Sequence, residues 1–99
     1  MAGYIVVDVE VHDREAYEGY RSQVMPTLER YDGRFLVRGG AVEVLEGNWR
    51  PGRFVILEFP SPERAREWYD SPEYQAILPI RLQNARSNAI LVEGVSTPS

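Results

Sequence analysis

The sequence predicts an α+β domain of the ferredoxin-like βαββαβ type: an antiparallel four-stranded sheet with two helices on one face. Three observations predict it. The elements read as strand, helix, strand, strand, helix, strand, with no internal repeat and no linker. At 99 residues the chain is long enough for one core only, which buries roughly two-thirds of the unfolded surface. The strand Arg53–Phe59 is apolar on both sides, with Val55, Leu57 and Phe59 on one and Phe54 and Ile56 on the other. Two helices cover a single face, so the second is expected to meet a second copy of the sheet in a symmetric dimer.

The first strand is read over residues 3–11, where Ile5, Val7, Val9 and Val11 alternate with Asp8 and Glu10. Asp13 then offers an N-cap, and Tyr17, Tyr20, Val24, Leu28 and Tyr31 recur at helical spacing until Gly33. One long helix is expected there, bent at Pro26, whose ring removes the bond to the Ser22 carbonyl. A second strand is read over residues 34–47, with a bulge at Gly39 and Gly40, and the turn at residues 48–52 leads into the third. In that hairpin Glu46 would face Arg53 as a cross-strand ion pair. Ser61–Pro62 and Ser71–Pro72 each supply a cap and first position for a helical segment, over 62–69 and 72–83. Pro79 leaves the end of the second of these open. Residues 89–95 read as the last strand, and 96–99 as a frayed tail.

Composition excludes several functions. A net charge of -4 gives no basic footprint for nucleic acid. No cysteine is present and His12 is the lone histidine, so neither a metal site nor a cofactor is expected. Every one of the eleven basic residues is arginine, which removes lysine Schiff-base chemistry. The first eleven residues carry Asp8 and Glu10 inside their apolar run, so they read as a strand and not as a signal or membrane segment, and a cytoplasmic protein is expected.

Several stretches together resemble one bacterial family: YEGYR, YDGRFLVRGGAVEVLEGNW, ILEFPS and AREWYDSPEYQ. The family is called domain of unknown function 1330, and the resemblance runs over nearly the whole chain. It implies a dimeric α/β barrel, in a superfamily that includes cofactor-independent antibiotic biosynthesis monooxygenases, muconolactone isomerases and haem-degrading enzymes. Fold alone implies no activity.

Arg38, beside two glycines in the RGG stretch characteristic of the family, can clamp a carboxylate with both arms of its guanidinium, or cap strand and helix ends. Glu58 interrupts an apolar strand, so it is either paired or a desolvated general base. Tyr17, Tyr20 and Tyr69, with Arg38, would line a sheet-to-helix cleft for a small aromatic or carboxylate ligand; the same aromatic stripe also suits core packing. Trp49 reads as a loop tip that packs across the dimer or forms a lid, and Ser61 and Ser71 read as caps. Three functions stay open. One is a cofactor-independent enzyme, monooxygenase- or isomerase-like, with Glu58 or a tyrosine moving a proton. The others are a non-catalytic dimeric binding module and a structural protein whose cleft its own aromatics fill.

Overall fold

The computed structural model describes residues 1–96. Along the chain run β1 (Gly3–Val11), α1 (Arg14–Arg21), α2 (Val24–Arg30), β2 (Arg34–Arg38), β3 (Arg53–Phe59), α3 (Pro62–Asp70), α4 (Pro72–Asn84) and β4 (Ala85–Glu93). The strands form one antiparallel sheet in the order β2-β3-β1-β4. All four helical segments lie on one face, in a slab of 43 × 38 × 16 Å. The ferredoxin-like reading therefore holds. Of the tail expected at 96–99, all but Ser96 lies outside the described residues.

The core forms where the period-2 face of the central strands meets the helices. Ile5, Val7, Val9, Val55, Leu57 and Phe59 are buried beneath Leu28, Trp68, Tyr74, Ile77 and Leu78. Each such side chain contributes about 1.5–3 kcal/mol when fully buried. Opposite them Tyr4, Val6, Phe54 and Ile56 are only half-buried, and Ile90 of β4 is 58% exposed.

The capping residues act as read: Asp13 Oδ1 accepts from Ala16 N at 3.1 Å, Ser61 Oγ from Arg64 N at 3.0 Å and Ser71 Oγ from Tyr74 N at 3.1 Å. The helix expected to bend at Pro26 is instead two helices. The chain breaks at Ser22–Gln23 and restarts at Val24, which puts Pro26 in a first turn, where no N–H is required. Helix α4 runs through Pro79 to Asn84, and β4 starts at Ala85, four residues before the expected strand.

The second strand is shorter than expected. It ends at Arg38, and its register shift falls between Phe35 and Val37, not at the glycines. Gly39 takes φ +73 and donates from N to Phe54 O at 2.8 Å, which turns the chain off the sheet edge. Residues 41–50 are exposed loop, so no Glu46–Arg53 ladder pair forms. The far end of the loop is fastened by Asp8, which accepts from Trp49 Nε1 at 3.0 Å and from Gly52 N at 2.8 Å. Trp49 also stacks edge-on against Phe54 at 5.8 Å.

Candidate functional site: an arginine and tyrosine cleft under the helices

Strand register lays out the floor of the cleft. Val9 pairs with Arg53 on one side and Ser87 on the other; one row along, Val7 pairs with Val55 and Ala89, and Val55 with Arg38. The bulge in β2 is what brings Arg38 to the helix face, since Val37 pairs with the outward-facing Ile56. Helices supply the roof: Tyr17 and Tyr20 from α1, Trp68 and Tyr69 from α3, Tyr74 and Arg81 from α4. Between floor and roof lies a chamber of about 30 Å³. That is room for about two waters, or one carboxylate-sized group. It shares Val9, Tyr17, Arg21 and Arg53 with an outer cleft of about 480 Å³, a size in the ordinary ligand range.

The chamber is cationic. Among the described residues its lining includes Arg21, Arg38, Arg53 and Arg81 and no aspartate or glutamate. Arg81 is 3% exposed, yet among the described residues its hydrogen bonds go to hydroxyls: one amino group donates to Ser87 Oγ and the other to Tyr74 OH at 3.4 Å. Its Nε has no partner among the described residues, and neither does the buried Nε of Arg53. A buried charge without a counter-ion costs several kcal/mol unless something supplies the opposite charge. The tyrosine hydroxyls Tyr20 and Tyr74 lie 2.7 Å apart. Burial, then the neighbouring Tyr74, pushes Tyr20 well above the usual phenol range. Burial also raises Tyr74, against the pull of Arg81. Both phenols are therefore protonated donors at neutral pH.

At the β2 edge, burial and the nearby Arg21 and Arg53 lower the Arg38 pKa, as expected where cations crowd together. Arg38 donates from Nη2 to Arg21 O at 3.2 Å, at the end of α1, and lies 4.3 Å from the Phe35 ring. It thus fulfils the helix-capping reading while also lining the chamber. The adjoining glycine has a steric reason: a Cβ on Gly39 would collide with the Arg53 guanidinium.

Of the residues singled out in the sequence, Arg38, Tyr17, Tyr20 and Tyr69 come together on this one lining. Glu58 does not join them. It sits on the outer face, where Arg34 Nη2 lies 2.6 Å from Oε1 and Tyr4 OH donates to Oε2 at 3.2 Å. The paired alternative is the one observed, and Glu58 is not part of the chamber lining. Tyr31 instead donates to Glu73 at 3.1 Å, and His12 is exposed beside Glu10. Sequence reading missed Arg53, Tyr74 and Arg81. Arg81 stands seven residues after Tyr74, two turns along the same helix face, and Arg53 opens its strand beside the glycine that makes room for it.

Among the described residues, no helix is long and apolar enough to cross a membrane, and no three acidic, histidine or cysteine side chains cluster as for a metal. Fold and site together define a small ferredoxin-like protein with a cationic, tyrosine-lined cleft between helices and sheet. The chain belongs to the family described as domain of unknown function, DUF1330, whose profile matches residues 2–95. No curated protein matches it. Among solved structures it is similar to RPA0582, a protein of unknown function from Rhodopseudomonas palustris, at 22% identity and TM-score 0.76, covering 96% of this chain and 83% of that one. It is also similar to SnoaB, a cofactor-independent oxygenase from Streptomyces nogalater, at 14% identity and TM-score 0.65, covering 98% and 96%. A third is a dimeric ferredoxin-like protein of unknown function from Jannaschia sp. CCS1, at 14% identity and TM-score 0.65, covering 95% and 100%. At these identities the likenesses carry the fold.

Proposed function

We propose that the protein binds a small anionic ligand in the cleft between helices and sheet, with the anionic group in the chamber against Arg81 and the body of the ligand in the outer cleft. The observation that carries this reading is Arg81, buried to 3% exposure and, among the described residues, without a carboxylate partner. Arg38 and Arg53 add positive charge at the β2 side, Tyr20 and Tyr69 wall the chamber, and Tyr17, shared with the outer cleft, gives the face that a flat, aromatic body would pack against. A second reading makes the same cleft a cofactor-independent active site, isomerase- or oxygenase-like. It is favoured by the protonated Tyr20–Tyr74 pair, which can hold a developing negative charge on a substrate oxygen. Glu58 has no part in this proposal, because it faces away from the chamber.

The homodimer belongs to the same proposal. Tyr4, Val6, Ile56, Ile90 and Val92 make an apolar outer face through the register Tyr4–Val92, Val6–Ile90 and Val6–Ile56. A second copy of that face is the covering whose chemistry matches it, which would complete the dimeric α/β barrel. Sedimentation should give a dimer, and Ile56→Asp should give monomers; a monomeric wild type would remove this part of the proposal.

The ligand reading is tested with benzoate and related carboxylates, followed by tryptophan fluorescence, since Trp68 lines the chamber. Saturable quenching in the wild type, lost in Arg81→Met, is expected. Binding that survives Arg81→Met undiminished would overturn the assignment of Arg81.

A further inference from the structure

The three groups Arg81, Tyr74 and Tyr20 form a chain whose hydrogens can be counted. A guanidinium only donates, so the Tyr74 oxygen accepts from Arg81. Two hydroxyl hydrogens remain, one on each tyrosine. One of them makes the 2.7 Å bond between the two oxygens. Neither phenol donates to any other group among the described residues, so one hydroxyl hydrogen is left over beside the chamber that both rings line. Donation from a cation into Tyr74 polarises its O–H, which favours Tyr74 donating onward to Tyr20. The spare hydrogen then belongs to Tyr20, which is 9% exposed where Tyr74 is 2%.

We infer that Tyr20 is the terminal donor of an Arg81–Tyr74–Tyr20 relay, and that the chamber takes the oxygen of an acidic phenol or an enol in its ionised form. This rests on the anion-binding reading of the cleft and narrows it. A carboxylate has two oxygens and suits the forked geometry of a guanidinium. A phenolate or enolate presents one oxygen, which suits a single directed hydroxyl backed by a positive charge at one remove. The chamber, about 30 Å³, fits one such oxygen with its attached carbon, and the ring or chain extends into the outer cleft of about 480 Å³. No aspartate or glutamate lines the chamber to oppose that charge. The lining also offers no carboxylate base, so the proton given up by the ligand leaves to water.

The probes are p-nitrophenol, whose ionised form has its own absorption band, and benzoate. In the wild type, bound p-nitrophenol should ionise at lower pH than the free compound. A bond from a polarised hydroxyl to an anionic oxygen corresponds to about tenfold tighter binding of the phenolate than of the phenol. Tyr20→Phe, which keeps the ring and removes only the hydroxyl, should abolish that shift and weaken benzoate binding less than it weakens nitrophenolate binding. A shift that persists in Tyr20→Phe overturns the inference. A wild type that binds benzoate but leaves nitrophenol ionisation unmoved also overturns it, while the anion-binding reading survives. A wild type that binds neither probe sinks both. Where Tyr20→Phe fails to fold, 3-fluorotyrosine at position 20 takes its place. Its more acidic hydroxyl is a stronger donor and should enlarge the shift, and no enlargement counts against the relay.

Discussion

On the outer face of the sheet Arg34 and Tyr4 converge on a carboxylate, Glu58, whereas on the helix-covered face Arg81 and Tyr20 converge on another phenol, Tyr74. The ingredients are alike, and the exposure is reversed. The Arg34 side chain is 70% exposed and could be solvated by water alone, yet it has its counter-ion. Arg81 is almost fully buried and has none among the described residues. Stability alone would favour the opposite arrangement, because an unpaired charge is cheap in water and costly in the interior. That inversion, a cation without a carboxylate inside and a paired one outside, is the contrast on which the proposal of an anion entering from outside rests.

The sharpest way to break that contrast is Arg81→Met, which keeps much of the volume and removes the charge. Affinity for benzoate should fall about hundredfold, the upper end for a charge-assisted hydrogen bond. The melting temperature should hold or rise, since replacing an uncompensated buried ion by an apolar side chain is often neutral or stabilising. Titration of benzoate and a thermal melt on one preparation read both. A large drop in stability with unchanged affinity would make Arg81 a structural strut.

Gly39→Ala is next. The substitution forces a side chain into φ +73 and against the Arg53 guanidinium, so it should cost about 1–2 kcal/mol in a denaturant melt. Affinity should fall severalfold as Arg53 is displaced. Gly40→Ala, where a Cβ meets open space, should do neither.

These two positions also mark what could be read in the sequence. Strand alternation, the Ser–Pro caps and the two-sided apolar third strand describe the sheet and its helical layer well, because each is a local signal. Residues 41–45 alternate in the same way and form no strand. Their pattern says only that a neighbour would suit them, and Gly39 turns them away from the one available. Pro26 announced a disturbance without locating it, since a proline is tolerated in any first turn and the chain relieved the clash by restarting at Val24. In the site, Tyr17, Tyr20, Tyr69 and Arg38 were legible as a group. Glu58 was flagged as an oddity in an apolar strand, and the period put it beside Phe54 and Ile56, but with both faces apolar nothing said which of them the helices cover. Arg81 was invisible because its kinship with Tyr74 depends on a helix that continues through Pro79.

Alkaline pH separates the faces more gently. Burial raises Tyr20 and Tyr74 above their unfolded values, so the stability linked to their protonated forms is complete below about pH 10 and is lost as pH rises through the folded values. Melting temperature should hold from pH 8 to about pH 10 and fall as the pH is raised further, and Tyr20→Phe should flatten the decline. Tyr4 is also raised, first by its bond to Glu58, but it lies at the surface. Tyr4→Phe should leave the profile nearly as it was, and equal flattening by both variants would remove the distinction between the faces.

The smallest effect is expected at Glu58. Its side chain is 23% exposed and its partner Arg34 is 70% exposed, so the pair is screened by solvent and contributes no more than about 1 kcal/mol. Glu58→Gln keeps a hydrogen-bond acceptor for Arg34 and Tyr4, which reduces the loss further. Because the side chain points away from the chamber, benzoate affinity should be unchanged, and so should the ionisation of bound p-nitrophenol. The experiment nevertheless bears on mechanism. Any turnover found in the wild type that vanishes in Glu58→Gln, with affinity and dimer intact, would require the outer face to reach a substrate, and the assignment of the inner cleft as the sole site would fail.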